Sequence, residues 1–443
     1  MKEKLTHFVE AQLVFLLAAL WLIWFQFVSP YLLGFDAFYH MKVSLLMRLH
    51  GVLYEFPWTE LSTWKDSFSD KDFLFHVFLV PFTYFDDLEL GGKYAVVVFA
   101  ALVLTSVFSL LRRYKVSYAA LWALLLPLMS IDFFYRMSLT RPHILGVLFL
   151  LWIVFAVIEK RLLLLAFLSF FFPWAHTSYA LPVVWIGALA FVSWLFSGPS
   201  YLKPLLVSFV VTLLGTIVHP YFPDNWQMFW VQNIVVMQKG LGTSEIFHLG
   251  RELGVHTTKV FLLHNIVSLL LTFSTVIVLA SGKVKLTEKH KAWCWFAFFA
   301  FGMTLLMRRF AEIWAPINLI ASLQILIPFV QEEKKHLSYL RGAGFSLLLF
   351  LVVGGGFWLS YRTVQKELVG KPPFFKEAAQ FFEEHSEPGE LIFTCDWDDA
   401  SGIFFFNHKN HYLVMLDPTF AMQYDEKKAT RWRALALGKA GGE

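Results

Sequence analysis

Long apolar runs recur along most of this 443-residue chain, and they limit the folds that it can adopt. The first run covers residues 8–28, about the twenty residues needed to cross a hydrocarbon core of ~30 Å. A secretory signal would have a shorter apolar core and a small-residue cleavage site, so we expect a retained anchor. Hydrophobic residues make up 57% of the chain and charged residues 16%, whereas soluble domains average about 45–50% and about 25%. The sequence therefore predicts a polytopic membrane protein and excludes a cytosolic globular enzyme and a disordered chain.

The remaining apolar runs bring the predicted number of transmembrane helices to about eleven. They cover residues 93–111, 117–130, 143–158, 161–174, 177–196, 204–219, 258–280, 292–307, 311–330 and 343–360. Because some of these runs are short, tilted pairs and re-entrant pieces are alternatives for them. The run at 73–82 is shorter still, and we interpret it as an interfacial or re-entrant helix. The predicted fold class is an α-helical polytopic membrane protein.

Basic residues in the short loops predict the orientation of the chain. With the N-terminus inside, the loops at 112–115, 159–161, 203, 283–291 and 331–341 are all cytoplasmic, as expected for loops rich in Lys and Arg. This orientation places everything after about residue 361 outside.

A change in character near residue 362 divides the chain into two predicted domains. Residues 1–361 form the transmembrane domain, and residues 362–443 contain an amphipathic helix followed by the strand-like runs LIFTC and HYLVML. We therefore expect a small C-terminal α/β domain outside the membrane. It ends in GKAGGE without an obvious closing element, so an incomplete domain is one interpretation.

The net charge of +4 does not indicate a nucleic-acid partner, because the basic residues are not gathered on one soluble face. Cys294 and Cys395 lie far apart along the chain and indicate neither a disulfide framework nor a thiolate metal site. We therefore expect no nucleic-acid binding.

Two acidic clusters lie at the predicted outer boundary. Asp36 and His40 are four residues apart and share one helix face. A carboxylate there could act as a general base or bind a divalent cation. Asp70 and Asp72 form the second cluster, with Asp72 four residues before His76. The alternative is that Asp36 and Asp70 only cap the helices that follow them.

Basic residues collect at the same predicted boundary. Arg141 and His143 lie at one outer turn, and Arg308 and Arg309 lie at another, with Glu312 one helical turn on. Paired guanidiniums can grip a phosphate or diphosphate in bidentate fashion. The alternatives are a structural Arg–Glu pair with the second arginine at the lipid headgroups, and a hydrogen-bonded interfacial histidine.

A Trp-Asp segment follows the first predicted strand of the C-terminal domain. The segment CDWDDAS contains Trp397, Asp398 and Asp399. An aromatic ring stacks on a sugar or peptide while carboxylates accept its polar hydrogens, so the predicted loop fits an acceptor pocket. The alternative is a turn built from Asp and Ser.

Taken in order, these features resemble the GT-C glycosyltransferases, and most of all the catalytic subunit of oligosaccharyltransferases. GFDAFYHMK is similar to a first-loop stretch whose Asp, here Asp36, is catalytic and metal-binding in that family. CDWDDAS is similar to the family's W-W-D-Y-G acceptor motif. Arg308 or Arg309 would match the donor-phosphate arginine, and Glu312 a nearby outer-loop acid. The resemblance covers the architecture of most of the chain.

The sequence also departs from the family pattern at two places. WDDAS lacks the doubled Trp and the Tyr-Gly, so the resemblance does not imply a peptide sequon. The family's second acidic motif is replaced by TRPHILG, which carries Arg141 and His143. A basic turn could hold the donor phosphate directly, in place of a metal.

The resemblance implies an enzyme that moves a sugar from a polyprenyl-phosphate or diphosphate donor to an acceptor outside a bacterial or archaeal plasma membrane. The donor lipid and membrane lipids are expected partners, and the acceptor is a glycan, lipid or protein. The expected catalytic residues are Asp36, Asp70, Asp72 and His40. The expected donor-phosphate ligands are Arg308, Arg309, Arg141 and His143, and the expected acceptor ligands are Trp397, Asp398 and Asp399.

The expected cofactor is a divalent cation, Mg²⁺ or Mn²⁺, held by Asp36 and Glu312. A metal-free site is the alternative. The alternative function is a transporter or flippase of lipid-linked or anionic substrates, which would place polar groups near the bilayer midplane. A non-catalytic membrane scaffold with an extracellular binding domain is the third reading.

Overall fold

Helices make up most of the chain in the computed structural model, as the apolar runs predict. The structure describes residues 2–197, 201–236, 254–333 and 375–439, together with residues 238, 354–355, 358–359 and 361–363. The α-helices of the first half are α1 (Lys2–Gln26), α2 (Phe35–His50), α3 (Phe73–Leu79), α4 (Leu88–Arg113), α5 (Ala119–Met129), α6 (Ile131–Met137), α7 (His143–Ile158), α8 (Leu162–Ala175), α9 (Ala180–Ser197) and α10 (Leu202–Ile217).

The second half continues with helices of more varied length. They are α11 (Asp224–Phe229), α12 (Thr258–His264), α13 (Ile266–Ala280), α14 (Glu288–Leu306), α15 (Ala311–Glu333), α16 (Phe375–His385), α17 (Trp397–Phe406), α18 (Pro418–Tyr424) and α19 (Glu426–Ala436). Short 3-10 turns occur at Thr63–Lys65, Val80–Tyr84 and Arg308–Phe310. A π-helical turn, Trp230–Val235, follows α11.

Three helices in the described ranges are long and apolar enough to cross a membrane: Leu5–Gln26, Leu88–Arg113 and Arg308–Glu332. The pairs α5–α6 and α12–α13 are bent by 96° and 82°, and they raise the number to five if each pair is one broken span. Five further apolar helices have 10–17 residues, fewer than the ~20 of a straight crossing. Within the described ranges, three to five of the about eleven predicted transmembrane helices are therefore clear spans, because several apolar runs are short or broken. The run at 343–360 lies almost wholly outside the described residues.

Packing among the apolar helices is close. α1 packs along α4, α8 along α10, and α14 along α15. Gly215 allows the contact between α10 and α8, because a Cβ at this position would stand 2.2 Å from the backbone oxygen of Phe170. The predicted short helix at 73–82 is present as α3 and the 3-10 turn after it.

The C-terminal segment is mainly helical, with a minimal sheet. Its strands, β1 (Leu391–Ile392) and β2 (His411–Tyr412), pair in parallel and are much shorter than the runs predicted as strands. The first loop adds an extended edge to this sheet, because Tyr412 N–H donates to the Trp58 carbonyl at 2.8 Å. The predicted α/β segment is thus tied to the loop that precedes α3.

The C-terminal segment also packs directly on helix α2. Phe38 of α2 makes edge contacts with Phe375 and Phe405, at centroid distances of 5.5 and 5.2 Å. Gly402 of α17 leaves room for the Phe375 ring, because a Cβ there would lie 2.2 Å from it. α17 therefore lies against α2, the helix that carries Asp36.

Candidate functional site

Asp36 and Arg141 form an ion pair where helix α2 meets the turn before α7. Asp36 lies in the first turn of α2 and is not its N-cap, which is Gly34. Gly34 has a φ of 79°, a conformation that glycine adopts without strain. The Asp36 carboxylate accepts a hydrogen bond from Nη2 of Arg141, and the two side chains are 21% and 25% exposed. The capping interpretation of Asp36 is therefore wrong, and the predicted residues Asp36 and Arg141 come together.

A chain of buried hydrogen bonds runs from Asp70 through His76 to His40. Oδ2 of Asp70 lies 2.7 Å from Nδ1 of His76, and Nε2 of His76 lies 2.8 Å from Nδ1 of His40. Oδ1 of Asp70 accepts the backbone N–H of Asp72 at 3.0 Å. Asp70 does not cap helix α3, whose N-cap is Asp72 without a capping side-chain hydrogen bond. The sequence pairs His76 with Asp72, whereas the structure pairs it with Asp70.

Lys71 belongs to the same cluster, although the sequence analysis missed it. Its Nζ donates to Asp72 at 2.8 Å. Burial works to lower the pKa of Lys71, but the charges of Asp72 and Asp36 outweigh it and the pKa is raised. The position of Lys71 between two acids is the one signal that could have revealed it.

A small cleft opens beside Lys71. Its lining residues are Ser69, Lys71, Pro173, Thr177, Tyr179, His219, Asn225, Met228 and Phe229. Burial lowers the pKa of His219 to about 4, which keeps its imidazole neutral at ordinary pH. The cleft therefore combines one ammonium with neutral polar groups.

Glu312 pairs with Arg136, a residue outside the predicted site. Nε of Arg136 lies 2.5 Å from Oε2 of Glu312, and both side chains are at most 7% exposed. Nε2 of His143 contacts the Arg136 carbonyl at 2.7 Å and lies 3.9 Å from Oε2 of Glu312. The predicted structural pair between Glu312 and Arg308 or Arg309 is therefore replaced by a pair with α6.

Arg308 and Arg309 form the 3-10 turn that leads into α15. Burial lowers the pKa of His176 well below its ordinary value, and the charge of Arg309 adds to this effect, followed by Lys71 and Arg136. His176 thus stands within the electrostatic reach of Arg309 and of the Lys71 cluster. His176 therefore connects Arg309 to the site, whereas the backbone N–H of Arg308 donates to the Gly254 carbonyl at 3.2 Å.

The predicted acceptor residues form the first turn of helix α17, which corrects the prediction of a loop. Asp396 is the N-cap and accepts the backbone N–H of Asp398 at 3.1 Å. Burial raises the pKa of Asp398 to about 8, and the nearby Asp36 charge contributes. Burial also raises the pKa of Asp399. Asp36 and Asp398 therefore lie close enough for their charges to interact, although they come from opposite ends of the chain.

The two acids expected to hold a metal each face an arginine instead. Asp36 pairs with Arg141, and Glu312 pairs with Arg136. Within the described ranges, no group of three or more His, Cys, Asp or Glu residues is arranged to hold a metal ion. Each of these two acids is thus ion-paired with an arginine, and the divalent cation stays a prediction.

The comparison with known proteins rests on three-dimensional structure. No protein-family model and no curated protein matches the sequence. The crystal structure of the apo oligosaccharyltransferase from Archaeoglobus fulgidus aligns with 96% of this chain and 68% of its own length, at a TM-score of 0.68 and 14% identity. This chain has an oligosaccharyltransferase fold. The predicted similarity in fold to oligosaccharyltransferases is thereby confirmed.

Two further structures of the oligosaccharyltransferase fold match over the same shares of both chains. One is the A. fulgidus enzyme tethered to an acceptor peptide containing the NVT sequon, with a TM-score of 0.66 and 14% identity. The other is A. fulgidus AglB in complex with an inhibitory peptide and a dolichol-phosphate, with a TM-score of 0.64 and 12% identity. At identities this low, the comparison establishes the shared fold only. The roles of individual residues have to be argued from the geometry of this chain.

Proposed function

We propose that this chain is an integral-membrane glycosyltransferase of the GT-C type. It moves a sugar from a polyprenyl-phosphate or diphosphate donor to an acceptor at the extracytoplasmic side of an archaeal or bacterial plasma membrane. The observation that carries the proposal is the convergence of Asp36, Arg141 and Asp398 where α2, the turn before α7 and α17 meet. The oligosaccharyltransferase fold supports the same reaction class.

The basic residues of the site serve the donor. Negative charge grows on the phosphate as the bond to the sugar breaks, and fixed cations near that oxygen stabilise the transition state. Arg141, Arg308 and Arg309 supply guanidiniums, with His143 beside them. Donor binding is also consistent with the dolichol-phosphate in one structure of the same fold.

The acceptor approaches from the C-terminal segment. Asp36 hydrogen-bonds the nucleophilic group of the acceptor, while Trp397, Asp398 and Asp399 contact its surroundings. At neutral pH a carboxyl with the raised pKa of Asp398 keeps its proton and can donate a hydrogen bond to an acceptor carbonyl or hydroxyl. A peptide acceptor is supported by the tethered peptide in one structure of this fold.

A lipid-borne donor explains why the site adjoins apolar helices. The isoprenoid tail stays in the hydrocarbon region while its headgroup reaches the charged site. We propose that the short and bent apolar helices complete a transmembrane domain of about eleven segments. We also propose that catalysis needs no divalent cation, because arginines face the carboxylates that would have held it.

Asp36→Asn tests the proposal. Membranes containing the full chain are supplied with polyprenyl-linked sugars isolated from archaeal membranes and with a fluorescent peptide, and glycosylated product is measured. We expect transfer to fall by about 10²- to 10³-fold, the range typical of a lost hydrogen bond that stabilises the transition state. The exposed Asp86→Asn is the matched control and should retain full activity. Full transfer by Asp36→Asn would remove the assignment, and loss of activity in EDTA restored by Mn²⁺ would refute the metal-free form.

A further inference from the structure

The hydrogen bonds between Asp70, His76 and His40 define where the ring protons lie. An ionised carboxylate only accepts hydrogen bonds, so Nδ1 of His76 carries a proton and donates it in a hydrogen bond to Asp70. With one proton on its ring, His76 then accepts at Nε2 from the Nδ1–H of His40. The lone pair of His40 is left on its outer nitrogen, Nε2. This nitrogen makes no hydrogen bond to any residue in the described part of the chain.

The location of His40 makes this lone pair chemically relevant. His40 lies one helical turn after Asp36 on α2, on the same helix face. Asp36 already accepts a hydrogen bond from Arg141. His40, His76 and Asp70 are at most 3% exposed, so water does not compete for their ring protons. The free acceptor nitrogen thus belongs to the helix face that carries Asp36, the residue proposed to position the acceptor.

We propose that Nε2 of His40 takes the proton of the acceptor and that His76 and Asp70 act as a proton relay behind it. This inference rests on the proposed glycosyl transfer. The acceptor O–H or N–H attacks the anomeric carbon, and the carbon–oxygen bond to the donor phosphate breaks, with its electron pair leaving on the phosphate. The acceptor proton moves to Nε2 of His40, the Nδ1 proton of His40 moves to Nε2 of His76, and the Nδ1 proton of His76 moves to Asp70. The relay ends with neutral rings and one protonated carboxyl.

A relay suits this environment better than a single histidine. Burial lowers the pKa of His40, and His76, Lys71, Arg141 and His143 lower it further. An isolated imidazolium is therefore disfavoured at His40. In the relay the net change is neutralisation of the buried Asp70 carboxylate, so positive charge never has to remain on a ring.

The opposite end of the relay adjoins the cleft. Ser69 and Lys71, the neighbours of Asp70 in sequence, both line the cleft. The groups whose charges interact with Asp70 include Tyr39, His219 and Tyr221. His219 also lines the cleft, so the Asp70 end of the relay lies toward it.

Asp70→Asn tests the relay without any substrate. The backbone N–H of Asp72 donates to Oδ1 of Asp70, so the amide oxygen must occupy that place and the amide NH₂ must face His76. Nδ1 of His76 then has to accept a hydrogen bond from this amide, so the proton of His76 moves to its Nε2. Nε2 of His76 then donates to Nδ1 of His40, and the proton of His40 moves to its own Nε2. Nuclear magnetic resonance of the full chain with ¹⁵N-labelled histidine, in detergent micelles, distinguishes the two ring forms.

We expect the wild-type chain to carry protons on Nδ1 of both rings and Asp70→Asn to carry them on Nε2. Asp132→Asn is the matched control, because Asp132 forms a separate buried cluster with His264 at 3.1 Å and Asn265 at 2.9 Å. It should leave the signals of His40 and His76 unchanged. A wild-type His40 with its proton on Nε2 would overturn the relay.

Activity provides the second measurement, with the donor fraction and fluorescent peptide used for Asp36→Asn. We expect Asp70→Asn to lower kcat by about 10²- to 10⁴-fold and to reduce the solvent deuterium isotope effect on transfer. If the ring protons move to Nε2 while the rate of sugar transfer and its isotope effect stay unchanged, the relay is refuted and the proposed function stands.

His40→Gln covers the case in which Asp70→Asn does not fold. It leaves the pair of Asp70 and His76 in place, so the His76 signals should persist while transfer is lost. Retained transfer in a folded His40→Gln chain would exclude His40 as the proton acceptor. Full activity in Asp36→Asn, in contrast, would contradict the proposed function and leave the ring-proton result intact.

Discussion

Asp398 should make the stability of this protein depend on pH in a defined direction. Burial, followed by the charges of Asp36 and Asp396, raises its pKa from 3.8 to about 8. Between these two values the folded chain holds a proton that the unfolded chain has lost. The free energy of unfolding therefore falls as pH rises from about 4 to about 8, and this contribution is constant above that range. Asp398→Asn, which is close in shape and uncharged, removes the effect.

The size of the effect follows from the pKa difference. A shift of about four pKa units at about 1.4 kcal/mol per unit sets an upper limit of roughly 6 kcal/mol. Asp398 is partly exposed, and solvent screening reduces this figure, so we expect about 2–4 kcal/mol. Asp398→Asn should be more stable than the wild-type chain by this amount at about pH 9, and nearly equal to it at about pH 4.

Thermal unfolding of the full chain in detergent, followed by tryptophan fluorescence at both pH values, measures the difference. Other titrating groups affect wild type and variant alike, so the difference between them isolates Asp398. Glu384→Gln is the control, because Glu384 is exposed on helix α16. Equal stability differences at the two pH values would refute the buried, charge-coupled environment of Asp398.

Two further predictions concern packing and charge. Arg136→Met leaves the Glu312 carboxylate, 5% exposed, without its guanidinium, and should lower the free energy of unfolding by about 3–5 kcal/mol. Adding Glu312→Gln should recover much of this loss in the same thermal assay, and additive losses would show that the two residues do not interact. Gly402→Ala places a methyl 2.2 Å from the Phe375 ring and should cost about 1–3 kcal/mol. Gly302→Ala, in a helix with open space around it, should be neutral or slightly stabilising, and equal effects of both glycine changes would contradict the contact.

Local sequence patterns predicted the helices better than they predicted the membrane spans. Residues 88–113 form one long helix, as their apolar run indicates. The run at 117–130 instead ends in a bend of 96° between α5 and α6, and α5 has only 11 residues. Hydropathy reports which residues avoid water, whereas the bend depends on how α6 packs against α15 and on the buried contact between Asp132 and Asn265. A short stretch of sequence does not reveal contacts between residues that are far apart along the chain.

The Trp-Asp segment shows the same difference in the C-terminal region. Its composition is typical of a turn, and the sequence analysis expected a loop there. In the structure Asp396 caps a helix that continues through an apolar run to Phe406. The buried face of α17 packs on α2, and this packing stabilises a helix that the polar start of the segment did not indicate.

The sequence by itself predicted a membrane protein, its helical class and most of the charged residues that the structure brings together. Composition and the length of apolar runs fix these properties, because they depend on residue type and short-range spacing. The tertiary structure alone decided which groups meet. Asp36 pairs with Arg141 across 105 residues, and Arg136 pairs with Glu312 across 176. Which charged residues form ion pairs depends on their distance in space. That distance is set by the packing of helices that are far apart in sequence.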